Sequence, residues 1–109
     1  MVTQEWSEKI FMVDLANDPE FTDELKALEE SLKKKPKNVV LNFTEVKFLN
    51  SSNISRLLKI RKHIVDKGYQ LKLCGIQIQV WGVFLLTGLD TVFDVAEDTA
   101  SALASLQMK

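Results

Sequence analysis

Residues 38–54 read NVVLNFTEVKFLNSSNI, and the fold of this chain turns on that stretch. Asn38 to Phe43 is a short β-branched and apolar run, as expected for a central strand buried on both faces. A loop from Thr44 to Asn50 follows it. Ser51-Ser52 then opens a helical pattern that carries Ile54, Leu57, Leu58, Ile64 and Val65 inward, and Gly68 closes it as a C-cap. Ser52 is well placed as the N-cap, its hydroxyl accepting from free N–H groups of the first turn. The same position suits a phosphoserine, because a dianion there meets unpaired N–H donors and the positive end of the helix dipole.

Working outward, the pattern alternates between the two element types. Ile10 to Leu15 reads as a strand, pairing through a Ser7-Glu8-Lys9 turn with Val2 to Trp6. Asp18-Pro19 is a helix start, a carboxylate cap followed by a proline whose missing N–H costs nothing there. Phe21, Leu25, Leu28 and Leu32 form one apolar helix face, Lys33-Lys34-Lys35 suits the negative end of its dipole, and Pro36 ends it. Downstream, Tyr69, Leu71 and Leu73 alternate with polar residues as a strand. Gln77 to Thr87 is a helix capped by Gly88, Thr91 to Val95 a short strand, and Glu97 to Gln107 a last helix. Strands alternating with helices predict an α/β domain: a small, mostly parallel sheet of four to five strands with about four helices.

Composition narrows the chemistry. The 109 residues fit one domain, and Lys plus Arg is 14 against 15 for Asp plus Glu. The near-balance argues against a nucleic-acid partner, whose binding by counterion release needs a basic surplus. No apolar run approaches the ~20 residues of a membrane span, and the polar opening MVTQEWSEKIF is no secretory signal, so a cytoplasmic protein without direct membrane insertion is expected. One Cys and one His cannot build a Cys/His zinc site, and no metal or other cofactor is expected. Cys74 and His63 could in principle pair as nucleophile and base. Cys74 ends an apolar alternation, however, and His63 sits in a helical pattern, so the first reads as buried and the second as solvated. No base, metal set or phosphate-cradling glycine loop accompanies the serines, and an enzyme is not expected.

Three stretches together resemble the STAS domain, typified by bacterial anti-sigma factor antagonists of the SpoIIAA and RsbV kind. NVVLNFTEVKFLNSSNI looks like the family's buried strand followed by its D-S-[ST]-G-[LI] switch loop. LKLCGIQIQV matches the next strand and the start of its helix, and VFLLTGLDTVFDV is similar to the V-F-x-x-[ST]-G-L-x-x-x-F signature. The likeness is strongest over residues 39–95. Before it, Leu15-Ala16-Asn17-Asp18 matches the family's G-x-[LI]-D pattern only loosely. The resemblance implies a STAS (SpoIIAA-like) fold for residues 1–109 and a role as a regulatory module rather than an enzyme. It implies a partner, an anti-sigma factor serine kinase of the GHKL type, and Ser52 as phosphoacceptor with Ser51 as second choice. The same fold also serves as a subunit on the ATPase of phospholipid-transport ABC complexes, without phosphorylation, and in stressosome-like scaffolds.

Two residues depart from the switch pattern: Asn50 stands where the family usually has Asp, and Asn53 where it usually has Gly. The first removes a negative charge beside the serines; the second adds a side chain where a partner's backbone would approach. Asn50, Asn53, Arg56 and Lys59 are the candidate partner-binding residues, the last two on a basic helix face with Ser55, Lys62 and His63. At about 100° per residue along Gln77 to Thr87, Ile76, Val80, Val83 and Phe84 point toward the sheet, while Ile78, Trp81 and Leu85 fall on a different arc. That arc is a candidate second interface, for a homodimer or another protein.

Overall fold

In the computed structural model, which describes residues 3–7 and 9–107, nine regular elements follow one another among the described residues. They are β1 (Thr3–Ser7), β2 (Ile10–Asp14), α1 (Glu20–Lys34), β3 (Asn38–Asn42), α2 (Ser51–Asp66), β4 (Leu71–Cys74), α3 (Ile78–Thr87), β5 (Asp94–Ala96) and α4 (Thr99–Gln107). The strands form one sheet in the order β1-β2-β3-β4-β5, with β1 antiparallel to β2 and all later pairs parallel. The β1–β2 pairing is the one expected, while Val2 and Glu8 of that reading lie outside the described residues.

β3 is central because its side chains serve two cores. Val39 and Leu41 pack under α1, α2 and α3, whereas Val40 faces α4 with Ile10, Cys74, Ala102 and Leu106. All three are fully buried, each stabilising the fold by roughly 1.5–3 kcal/mol relative to exposure. Across the larger core, Phe21, Phe43, Phe84 and Phe93 make an edge-to-face series with centroids 6.1, 6.2 and 5.9 Å apart. These contacts tie α1, β3, α3 and the approach to β5 into one unit.

Several boundaries and faces move. In α2 the buried stripe is Leu57, Ile60 and Ile64; Leu58 and Val65 each lie one residue, about 100°, off it and are exposed. Tyr69 is exposed and precedes β4. The last strand starts at Asp94, because Gly88 turns left-handed at φ +75° and Leu89–Thr91 forms a 3₁₀ turn that buries Leu89. α4 begins at Thr99, the Asp98 carboxylate accepting from the Ser101 N–H at 2.8 Å.

Candidate functional site

The loops leaving β2, β3, β4 and β5 meet at the carboxyl edge of the parallel strands, where open α/β sheets place their sites. Polar residues at the strand ends bind these loops together. The Asn42 amide donates to Asp14 at 3.0 Å and accepts from the backbone and hydroxyl of Thr44 at 3.1 and 2.6 Å. Gly75 closes over this group with φ +67°, and a Cβ there would lie 2.5 Å from Thr44 Oγ1 and 2.8 Å from Asn42 Oδ1. Only glycine meets both demands. From the β2–α1 loop, Asn17 Oδ1 accepts from the N–H groups of Lys47 and Phe48 at 2.8 and 3.3 Å. The loop before α2 is therefore pinned on two sides.

The start of α2 differs from the expected capping. Asn50, not Ser52, is the N-cap. Its Oδ1 accepts from the Asn53 N–H at 2.8 Å, and Asn53 Oδ1 accepts in return from the Asn50 N–H at 3.1 Å. This is a capping box with asparagine in both roles. The chain is already extended at Asn50 (φ −107°, ψ 174°), so the helix begins at Ser51 and Ser52 falls within its first turn. Asn53, a candidate partner contact from the sequence, is buried, and its side-chain amide donates to Asp18 Oδ2 at 2.9 Å. Asn50 donates to the same oxygen at 3.4 Å.

The sequence reads Asp18 only as the N-cap of α1; the structure puts Pro19 at that position, and Asp18 reaches the first turn from one residue earlier. Its Oδ1 accepts from the Thr22 N–H and hydroxyl at 3.0 and 2.7 Å, one residue before the Pro19 that precedes α1. Its other oxygen serves α2. The carboxylate is held below the usual aspartate range, chiefly by the Thr22 hydroxyl and then by Asn53, against a small burial penalty. The negative charge absent at position 50 thus stands at position 18. The paired asparagines three residues apart were the signal that could have found it.

Ser51 and Ser52 are both exposed, and among the described residues neither hydroxyl has a hydrogen-bond partner. Phe48, not picked out from the sequence, stands two residues before the cap and is 74% exposed. The basic face of α2 is weaker than its residues promised. Arg56 is half-buried and committed to Glu29 at 2.9 Å, Lys59 lies 3.9 Å from the same carboxylate, and Lys62 pairs with Asp66 at 2.8 Å. His63 is half-buried in the groove between α1 and α2. Cys74 lies on the far side of the sheet under α4, its thiol pushed up to about 11 by burial and then by Asp98 and Asp14. The two do not meet.

On α3 the expected arc also shifts. Ile78 and Leu85 are exposed, but Trp81 is half-buried and stacked on Phe84 with centroids 5.8 Å apart. The indole folds back toward the core, lining an open cavity with Ile76, Val95, Ala96 and Glu97. Leu86, 90% exposed, takes its place on the outer face. Val83 lies on the half-buried flank rather than against the sheet.

Among the described residues no group of three or more His, Cys, Asp or Glu side chains could hold a metal ion, and no helix is long and apolar enough to cross a membrane. The family model of the STAS domain matches residues 12–102. Curated protein sequences contain no significant match. Among solved structures, a candidate anti-sigma factor antagonist from Thermotoga maritima superposes with a TM-score of 0.84 at 18% identity, over 97% of this chain and 93% of that one. A sulfate transporter family protein from Wolinella succinogenes gives 0.74 at 18% identity, over 92% and 84%. The anti-sigma factor antagonist SpoIIAA in its unphosphorylated form gives 0.73 at 10% identity, over 95% and 94%. The likeness to these three structures is one of fold.

Proposed function

Since this chain belongs to the STAS family, we propose that it is a regulatory binding module of the anti-sigma factor antagonist type. Its partner in this reading is a cytoplasmic serine kinase of the GHKL type that also sequesters a sigma factor. Docking uses the edge that carries Phe48, Ser51 and Ser52, and releases the sigma factor. Phosphorylation then reverses the contact: the Ser52 oxygen takes the γ-phosphoryl of the kinase's ATP, ADP leaves, and the hydroxyl proton passes to a base on the kinase. The catalytic groups belong to the partner; the STAS domain contributes a shaped surface and an acceptor.

The observation that carries this reading is the exposure of two serine hydroxyls, unpartnered among the described residues, in the first turn of α2, after a loop bonded to the scaffold. An exposed aromatic beside them supplies the kind of side chain that anchors protein interfaces. A phosphate on Ser52 would meet the free amides of the helix start, and it would also share that end with the Asp18 carboxylate. The added charge changes the docking edge without removing the local support for the helix.

A second reading draws on the same Asp18. A carboxylate held permanently at the start of α2, with a buried Asn53 where the family usually has Gly, suits a module that needs no phosphate. Such a module would be a subunit on the ATPase of a phospholipid-transport ABC complex or a stressosome-like scaffold component. Incubation with the cognate kinase and ATP, followed by mass spectrometry, separates the two. One added phosphate on Ser52, absent from Ser52→Ala, is the result expected of the antagonist. An unmodified protein after exposure to a kinase that binds it leaves the phosphorylation-independent reading.

A further inference from the structure

A cavity of about 330 Å³ opens between α3 and the edge strand β5, walled by Ile76, Trp81, Val95, Ala96 and Glu97. Its walls are held from inside the fold. The Trp81 ring is fixed by its stack on Phe84, with centroids 5.8 Å and planes 19° apart. The Glu97 carbonyl accepts from the Gly75 N–H at 3.1 Å, and Val95 and Ala96 are anchored by pairing with Leu73 and Cys74. Neither the serine edge nor its hydrogen bonds use these five lining residues.

Four of the lining side chains are apolar or aromatic, and the fifth is a carboxylate. From residue 73 to residue 108 the chain contains no Lys, Arg or His, whereas it contains Asp90, Asp94, Glu97 and Asp98. That stretch therefore carries a formal charge of −4 in a chain whose total is −1. Two of its acids are engaged: Asp94 lies 3.5 Å from Lys72, and Asp98 accepts from the Ser101 N–H at 2.8 Å. The Glu97 carboxylate has no partner among the described residues. A lone exposed carboxylate is ordinary. One set at an apolar cavity with an aromatic wall suits a cation that carries an apolar body, because ring and carboxylate attract the same charge.

We propose that this cavity binds a small aromatic amine in its ammonium form. The ammonium group pairs with Glu97 at the rim, and the ring packs against Trp81, Ile76 and Val95. An anion of the same shape is rejected, since no cationic residue lines the cavity and the surrounding stretch is negative. The volume lies at the lower end of the ~300–1,000 Å³ of small-molecule sites, which selects a single-ring amine over a larger ligand. So small a ligand in an open site binds weakly, with a Kd on the order of 1 mM. The site is separate from the serine edge and does not depend on the kinase reading.

Titration of the ¹⁵N-labelled full chain with 2-phenylethylamine, followed by ¹H–¹⁵N correlation spectra up to roughly 10 mM ligand, tests the proposal. Saturable shifts are expected at the Trp81 indole N–H and at the Ala96 and Glu97 amides. Glu97→Gln, a change at an exposed side chain that leaves the melting temperature nearly unchanged, should weaken binding about five-fold. The anion 3-phenylpropanoate, with the same ring and the opposite charge, should leave these resonances unmoved. The absence of a saturable shift with the amine overturns the proposal. So does a Glu97→Gln protein that binds as tightly as the parent, or equal binding of the anion, since the cavity would then select apolar surface alone.

Discussion

The first turn of α2 and the outer face of α3 are both open to solvent, and they are exposed for opposite reasons. At α2 the polar groups are tied backward into the fold: Asn50 and Asn53 cap each other, and Asp18 holds both. Among the described residues the two serine hydroxyls have no partner, and the Phe48 ring is exposed beside them. At α3 the outer residues are tied to nothing among the described residues, and their exposure is uncompensated apolar surface. A contact surface built on the fold's own hydrogen bonds couples partner binding to stability. One built on spare apolar side chains does not.

The largest effect that sharpens this contrast is expected at Asn53. Asn53→Ala removes the half of the capping box that its side chain supplies, the acceptor for the Asn50 N–H, and strips Asp18 of its shorter amide donor, while the residue-53 N–H still donates to Asn50. The expected loss is about 1–3 kcal/mol by urea denaturation, from the Asn50 N–H and the Asp18 carboxylate each left short of a partner. Leu86→Glu, although it places a charge at an apolar position, should stay within about 0.5 kcal/mol of the parent protein. If both variants lost equally, the distinction between wired and unwired surfaces would fail.

A smaller effect follows pH. The Asp18 carboxyl is lowered in the folded protein, so its stabilisation is complete above the unfolded value near 3.8 and is lost as pH falls through the folded value. The ¹³C resonance of its carboxyl carbon should titrate below 3.8, and the stability gap between the parent and Asp18→Ala, roughly 1 kcal/mol at neutral pH, should close in acid. Leu86→Glu should show no comparable closure there. A normal titration of Asp18 would mean that its bonds to Thr22 and Asn53 do not form in solution.

How far the sequence foretold these two surfaces depends on the kind of physics behind each. The βα alternation was legible because β-branched runs and apolar periodicity act locally; Phe21, Leu25, Leu28 and Leu32 are all buried as their spacing implies. The serine turn was located correctly, yet its cap was misassigned to Ser52. Serine and asparagine are nearly equal as caps, and what decides between them is Asp18, 35 residues away from Asn53 in the chain. Arg56 was taken as free for the same reason, because Glu29 reaches it from α1. On α3, periodicity alone put Trp81 outside; its ring is large enough to turn back onto Phe84. Local patterns were readable, and side chains whose partners lie across the fold were not.

The smallest expected effect on stability lies at Ser52, which has no partner among the described residues to lose. Ser52→Ala and Ser52→Asp should fall within about 0.5 kcal/mol of the parent protein. Binding should respond quite differently. Calorimetric titration of a purified cognate serine kinase with the parent protein, Ser52→Ala and Ser52→Asp puts the central claim to the most direct test. The account predicts comparable affinity for the parent and Ser52→Ala, and at least a tenfold loss, about 1.4 kcal/mol, for Ser52→Asp. Equal binding of all three would contradict it, because the edge at Ser52 would then form no part of the contact.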